Sequence, residues 1–404
     1  MAESHGSCGG NRRRFLKAAA AVGPALASAE MVLGAAPAAT LPKIKLGRTG
    51  QEVTRLGMGS SWDVSPSFVQ RLLATGVRYI DTSEAYEQGR SEQRIGEVLE
   101  RTGLRKEVYL VTKNNSYRKA KGPGASKIFE ASLNKSLERL RTDYVDCYYL
   151  HGLTGQQIPM LFDPSIKAAF QRLKDAGKIR FCGLSCHDPR LVEVVEAAAK
   201  CGWLDQIMIQ YNYRTMNGDE IRRAVDKASE ANLGLIAMKT QAGAGEFKEN
   251  LTGHAAFDDF VAKGFKKEQA AIKTVLTDHR FQVVVSEMTN TDMLRENSAA
   301  VREPLTKKEA MLLEEHRQKT ANMYCHGCGH LCETAARGVP VATVLRYLRY
   351  YSVYGKRQAA RALYQALPPE ARDLASADLA AAEAACPHKL PVAQLVQIAD
   401  HRLA

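Results

Sequence analysis

Two groups of side chains in this chain have the types and the spacing to do chemistry. Late in the sequence, "MYCHGCGHLCE" sets Cys325, Cys328 and Cys332 within a few residues of one another. Thiolates at such spacing hold metals, and a four-coordinate centre built on three of them lacks one ligand. The second group is Asp81, Tyr86, Lys113 and His151. Asp81 ends "YID", Lys113 ends "YLVTK" and His151 ends "CYYLH", positions where an apolar packing residue is the default, and Tyr86 follows Asp81 closely. A phenol is a poor proton donor at neutral pH, but an ammonium a few ångströms away stabilises the phenolate and lowers its pKa. Lys113 is expected to do this to Tyr86. A buried lysine needs a partner, which Asp81 supplies, and His151 is suited to orient a carbonyl oxygen. Taken singly, an Asp–Lys pair is an ordinary ion pair and a lone histidine an ordinary core residue; the case rests on the four together.

These residues need elements that bring strand ends to one face. From about Leu41 to about Thr320, short apolar runs alternate with amphipathic helical segments. The strand candidates are "EVTRLGMG", "YIDTS", "VYLVTK", "YVDCYYLH", "IRFCGLS", "QIMIQYN", "LGLIAMK" and "FQVVVSE". This alternation predicts an α/β chain, a (β/α)8 TIM barrel over 41–320, with reactive side chains at the carboxyl ends of several strands. The rival, an open doubly wound sheet, would need a glycine-rich phosphate turn after its first strand, and no G-x-G-x-x-G occurs in the sequence. Beyond about 321 the strand pattern stops. A helical tail over 321–404, with the tyrosine-rich "VATVLRYLRYYSVYGKRQAARALYQAL", is too small to fold comfortably without a staple.

The formal net charge of +12 is scattered rather than gathered into a basic stripe with aromatics, which argues against a nucleic-acid partner. After the N-terminus no apolar run is long and clean enough for stable membrane insertion. The first forty residues differ: Asn11-Arg12-Arg13-Arg14-Phe15-Leu16-Lys17 precedes the weakly hydrophobic "AAAAVGPALASA". This resembles a twin-arginine signal over 1–40, which implies the Tat translocon as a transient partner and a periplasmic or otherwise exported protein, cleaved near Ala29, Ala36 or Ala39. Cys147, Cys182, Cys186 and Cys201 read as small core residues, and Cys8 leaves with the signal.

With its contexts "LGRTGQEVTRLGMGS", "GVRYIDTSEAYEQGRSEQRIGEVL", "VTKNN", "DYVDCYYLHG" and "MTNTDMLREN", the Asp81–Tyr86–Lys113–His151 set resembles the aldo-keto reductases over the whole predicted barrel. The resemblance implies an NAD(P)H-dependent oxidoreductase acting on a small carbonyl or alcohol, in which Tyr86 protonates the nascent alkoxide while nicotinamide delivers hydride. It further implies cofactor contacts at Ser185, Gln210 and Lys239, and at Glu296 and Asn297 for the adenine. Two departures stand out. Ser185-Cys186-His187 replaces the family's Ser-Asn, and Glu287 and Thr289 stand where NADP users commonly carry a glycine and a basic residue, so NAD and NADP both remain open.

The cysteines resemble one half of a two-cluster ferredoxin, three close thiols and a distant Cys-Pro, and a branch of the aldo-keto reductases carries such a C-terminal ferredoxin-like extension. This implies one [4Fe-4S] cluster on Cys325, Cys328, Cys332 and Cys386. The spacing of three before Cys332 departs from the usual run. Structural zinc, with His326, His330 or His388 nearby, stays open, as do disulfides or free thiols. A function of another class follows from the same residues: an iron–sulfur electron-transfer protein that uses the barrel as a scaffold and meets a redox partner.

Overall fold

The computed structural model describes residues 40–241, except 62, 63 and 121, and residues 266–404. The signal-like segment therefore lies outside the described residues. Eight strands close a parallel barrel. In sequence they are β3 (Leu56–Gly59), β4 (Tyr79–Asp81), β5 (Tyr109–Asn114), β6 (Val145–Leu150), β7 (Ile179–Cys186), β8 (Gln206–Gln210), β9 (Gly234–Met238) and β10 (Val283–Glu287). Each pairs in parallel with the next, and β10 pairs with β3 to close the ring. Strands buried on both faces need unbroken apolar runs, as in "VDCYYL" of β6.

"EVTRLGMG", expected as one strand, is two. β1 (Lys43–Lys45) and β2 (Glu52–Thr54) form an antiparallel hairpin, and the chain turns at Arg55 into β3. The hairpin packs under the amino ends of the barrel strands, with Leu46 against Gly234 at the start of β9. Here Tyr109 Oη donates to Gln206 Oε1 (2.8 Å) and Gln206 Nε2 donates to Tyr149 Oη (2.6 Å), so the polar tips of the interior aromatics are satisfied.

Helices between the strands bury one apolar stripe each. In α2 (Arg90–Thr102) Ile95, Val98 and Leu99 face the sheet at helical spacing, and Gly103 at φ 67° ends the helix in the left-handed conformation. The other crossover helices that matter below are α1 (Pro66–Ala74), α3 (Ala125–Leu140), α4 (Pro164–Asp175), α5 (Leu191–Cys201), α6 (Asp219–Glu230), α7 (Lys267–Leu276), α8 (Thr291–Ala300) and α9 (Lys307–Lys319). Cys147, Cys182 and Cys186 are buried core residues, and Cys201 is half-buried.

The tail comprises α10 (Gly329–Ala335), α11 (Val341–Ser352), α12 (Arg357–Gln365), α13 (Leu379–Ala384) and α14 (Val392–Leu403). Its core is Val344, Leu345 and Leu348 of α11 against Leu395, Val396 and Ala399 of α14. The tail packs on the barrel, and Thr40–Ala404 forms one compact unit. Arg214, after β8, is a principal fastening: its guanidinium donates to Thr320 Oγ1 at 2.5 Å and lies over the rings of Tyr213 and Tyr324. Among the described residues no helix is long and apolar enough to cross a membrane.

Candidate active site at the carboxyl end of the barrel

The parallel register brings the ends of β4, β5 and β6 side by side, with Asp81 opposite Val111 and Lys113 opposite Tyr149. Asp81, Lys113 and His151 therefore converge on the mouth. Lys113 is 1% exposed, and each of its three protons has an acceptor. Its Nζ lies 2.6 Å from Asp81 Oδ2, 2.7 Å from the Thr82 carbonyl and 3.1 Å from Tyr86 Oη. Because the ammonium has no lone pair, Tyr86 Oη accepts from it and keeps its own proton available. The chain leaves Tyr86 through two consecutive left-handed residues, Glu87 (φ 50°) and Gln88 (φ 56°), before Gly89 opens α2. Such backbone costs about 1–2 kcal/mol per residue and aims the phenol back over the mouth.

His151 stands edge-on to the Tyr86 ring, with centroids 5.5 Å apart. Its Nδ1 is 3.0 Å from Ser83 Oγ. Ser83 Oγ also accepts from the Ala85 N–H; with its own proton given to Nδ1, the imidazole proton stands on Nε2. Burial, then Lys113 and Arg118, hold His151 well below the usual histidine range, so it is a neutral donor.

The expected lowering of the Tyr86 pKa is not what this environment produces. Burial raises it well above the ordinary phenol value, and the charges of Asp81, Glu287 and Tyr350 raise it further. Beyond burial, Lys113 is already matched by Asp81 at 2.6 Å, and Glu287 adds a further negative charge. Tyr86 is a neutral, proton-bearing phenol at physiological pH. Within the pair itself, burial pushes Asp81 up and Lys113 down, each opposed by the other's charge.

Sequence reasoning missed the residues that roof this site. Tyr350 of α11 reaches Lys239 at the end of β9, with Oη 3.5 Å from Nζ. Arg346, one turn earlier, donates to His187 Nδ1 (3.1 Å) after β7. Lys356 donates to Ser61 after β3 and stands 3.7 Å from Glu287 at the end of β10. Ser61 also bonds to Glu287. The i, i+4 spacing of Arg346 and Tyr350 within "RYLRYYSVYGK" was a legible signal of a shared face, though not of what it covers.

The expected cofactor positions divide. Ser185, Gln210 and Lys239 lie at the adjacent ends of β7, β8 and β9; Ser185 Oγ accepts from Gly152 N (2.9 Å) and Gln210 is half-buried. Asn297 is instead 1% exposed and bonded to Ser286 Oγ and Gln241, and Glu296 accepts from Lys266 and Gln269. Glu296 is partly exposed, and Asn297 follows it, buried, in the same helix.

Cys325, Cys328, Cys332 and Cys386 line a single cavity in the tail, with Leu345 and Pro387 among its walls, and all four are free thiols. Burial, then the neighbouring thiols, push Cys328 up to about 11 and Cys332 up to about 12. His326 and His388 stack at 3.5 Å in the same lining, whereas His330 is exposed. Among the described residues, no group of three Cys, His, Asp or Glu stands close enough to hold a metal ion.

Residues 61–318 match the model of the aldo/keto reductase family. The chain belongs to the aldo/keto reductase family. An uncharacterized oxidoreductase YqkF of Bacillus subtilis is 27% identical over 312 residues, 69% of this chain and 97% of its own. The aldo-keto reductase yakc [NADP(+)] of Schizosaccharomyces pombe is 29% identical over 217 residues, 52% of this chain and 60% of its own. Among solved structures, the holo form of aldo-keto reductase AKR11C1 from Bacillus halodurans aligns with a TM-score of 0.54 at 25% identity, covering 68% of this chain and 96% of that one. The family match ends before the tail, so this reductase-family barrel is roofed by a segment outside the matched residues.

The Tyr86 environment gives a signed expectation. Glu287→Gln removes a charge that raises the phenol, so the alkaline limb assigned to Tyr86 in a pH–rate profile moves to lower pH. An unmoved or upward-moved limb would show that Glu287 does not act on Tyr86.

Proposed function

We propose that this aldo/keto reductase family member reduces a small carbonyl compound, or oxidises the corresponding alcohol, with Tyr86 as proton donor. The observation that carries this reading is the three-way contact of the Lys113 ammonium with Asp81, the Thr82 carbonyl and Tyr86 Oη. It leaves the phenol oriented, protonated and open on the mouth side. Neutral His151 donates through Nε2 to the substrate oxygen and fixes its position; the Tyr86 proton then passes to that oxygen as negative charge develops.

The hydride source that fits is NAD(P)H, which when bound supplies a hydride to the carbonyl carbon. Ser185 and Gln210 suit the nicotinamide carboxamide, because the serine accepts from Gly152 N and retains its own proton to donate. The relative named for NADP(+) is in keeping with this. Lys239 borders the same pocket, and Glu287 and Thr289 leave the choice between NAD and NADP to experiment. The four thiols on one apolar-walled cavity, in a ferredoxin-like order, suit a [4Fe-4S] cluster, which takes soft thiolate ligands. Held by Cys325, Cys328, Cys332 and Cys386, it would supply one-electron chemistry and staple the tail. Export by the twin-arginine route, which carries folded proteins, joins these readings to a periplasmic location.

The roof of α11 over Lys239 and His187, continued by Lys356 over Ser61, favours a second reading, in which the barrel is a scaffold for an iron–sulfur protein that serves a redox partner. Titration of the full chain with NADH and NADPH, followed by nicotinamide fluorescence, separates the two: a scaffold binds neither. On the first reading, Tyr86→Phe lowers kcat for carbonyl reduction by about 100-fold or more while nicotinamide binding persists; unchanged turnover would overturn the assignment. Anaerobically purified protein should be brown and contain iron and acid-labile sulfide, both lost in Cys386→Ser. A colourless protein with stoichiometric zinc would sink the cluster.

A further inference from the structure

The cations around the mouth are unequally compensated. Lys113 is paired with Asp81, and Lys356 stands near Glu287. Lys239 and Arg346 are different. Lys239 has a phenol: its Nζ is 3.5 Å from Tyr350 Oη and lies 5.3 Å from the ring centroid. Arg346 has an imidazole, a carbonyl and a hydroxyl, donating to His187 Nδ1 (3.1 Å), the His187 carbonyl (3.3 Å) and Thr343 Oγ1 (3.4 Å). Its Nε is buried with no hydrogen-bond partner. Among the described residues neither cation has a carboxylate at ion-pair distance. Glu333 feels the charge of Arg346 but is turned away to accept from Ala342 N.

Two partly buried cations set at neighbouring turns of α11, Arg346 on the helix and Lys239 against Tyr350, without a carboxylate partner are unfavourable, and a desolvated ammonium and guanidinium favour an oxyanion strongly. Their field is felt by the group between them: although burial alone would raise it, Tyr350 is held below the ordinary phenol value by Lys239, Arg346 and Lys356. The same two cations, with burial first, hold His187 well below the usual histidine range.

This cationic pocket adjoins the reacting groups. The His151 ring stands 5.5 Å from that of Tyr86, and Gly152, next to His151, donates to Ser185 Oγ two residues before His187. Tyr86, His151, Lys239, Arg346 and Tyr350 are all partly exposed. One half of the pocket comes from the barrel, at Lys239 where the backbone adopts φ 56°, and the other from α11 of the tail.

We propose that Lys239 and Arg346, with the Tyr350 hydroxyl as a further donor, form an oxyanion subsite that receives the carboxylate of the substrate. The substrate class is then a short oxo or hydroxy acid, its carboxylate on Lys239 and Arg346 and its reacting carbonyl toward Tyr86 and His151. This rests on the oxidoreductase reading for the reacting end only; anion binding itself requires no turnover. The tail is thereby a specificity element of the active site, which explains why its cationic face is laid across the mouth.

Calorimetric titration of the full chain with malonate, an unreactive dicarboxylate, and separately with inorganic phosphate tests the subsite. Malonate is expected to bind saturably, phosphate more weakly, and malonate affinity to fall about tenfold or more in Arg346→Gln and in Lys239→Met. In parallel, the ratio of kcat/KM for 2-oxobutyrate to that for 2-butanone should fall by a similar factor in Arg346→Gln, whose fold is checked by its thermal transition. No malonate binding to the wild type, or equal binding by both variants, overturns the subsite. Tighter binding of phosphate than of malonate overturns the carboxylate assignment. Because malonate binding is read without catalysis, loss of the Tyr86 chemistry with malonate binding intact would refute the reaction and leave the subsite standing.

Discussion

A lysine ammonium buried at the mouth of a barrel is a charge that the protein interior does not tolerate unaccompanied, and the arrangement around Lys113 follows from that requirement. Its three protons go to Asp81, to the Thr82 carbonyl and to Tyr86 Oη, and these acceptors arrive from one strand end and the turn after it. Removing Asp81 would leave an uncompensated buried charge, a loss of about 3–5 kcal/mol. The same contact that stabilises the lysine positions the phenol, so folding and chemistry share one interaction. The left-handed turn at Glu87 and Gln88 is tolerated in the same place because Tyr86 is anchored at its hydroxyl.

The pair's neutrality shapes the rest of the site. A lone ammonium would draw Tyr86 toward ionisation; an ammonium matched by Asp81 orients it while leaving its proton in place. Glu287, itself bonded to Ser61 and near Lys356, adds to that effect. The roof then decides what meets the donor. Its side chains Arg346, Tyr350 and Lys356 stand on the ends of β7, β9, β10 and β3, so polar contacts tie the tail across the mouth, while Tyr324 packs in an apolar cluster with Tyr213, Ala270 and Leu313. Below it, the tail's own helices close on Val344, Leu345, Leu348 and Leu395, with the four thiols at one end of that small core.

Much of this was legible in the amino-acid sequence. Strands such as "VDCYYL" are buried on both faces and leave an apolar signature, and polar residues at their ends break it visibly at Asp81, Lys113 and His151. That Cys386 joins the earlier thiols was implied by the resemblance to a ferredoxin half-motif, three close cysteines and a distant Cys-Pro, and the four line one cavity. What was hidden arises from tertiary contact between segments far apart in the chain. Nothing in the spacing of Glu287 says that it faces Tyr86, and nothing in that of Tyr350 says that it meets Lys239. The break at Arg55 was missed because β2 and β3 are both apolar and adjacent, so a change of strand leaves no gap in the pattern. Asn297, read as a cofactor contact, is buried under the end of β10, where its amide serves the Ser286 hydroxyl.

The central claim is that Tyr86 stands protonated beside an already compensated lysine. The most direct measurement is 13C NMR of the protein labelled at tyrosine Cζ, with the Tyr86 resonance assigned by its absence in Tyr86→Phe. At neutral pH the account predicts the chemical shift of a neutral phenol. A phenolate shift would contradict it and make Lys113, rather than burial with Asp81 and Glu287, the dominant influence on that oxygen.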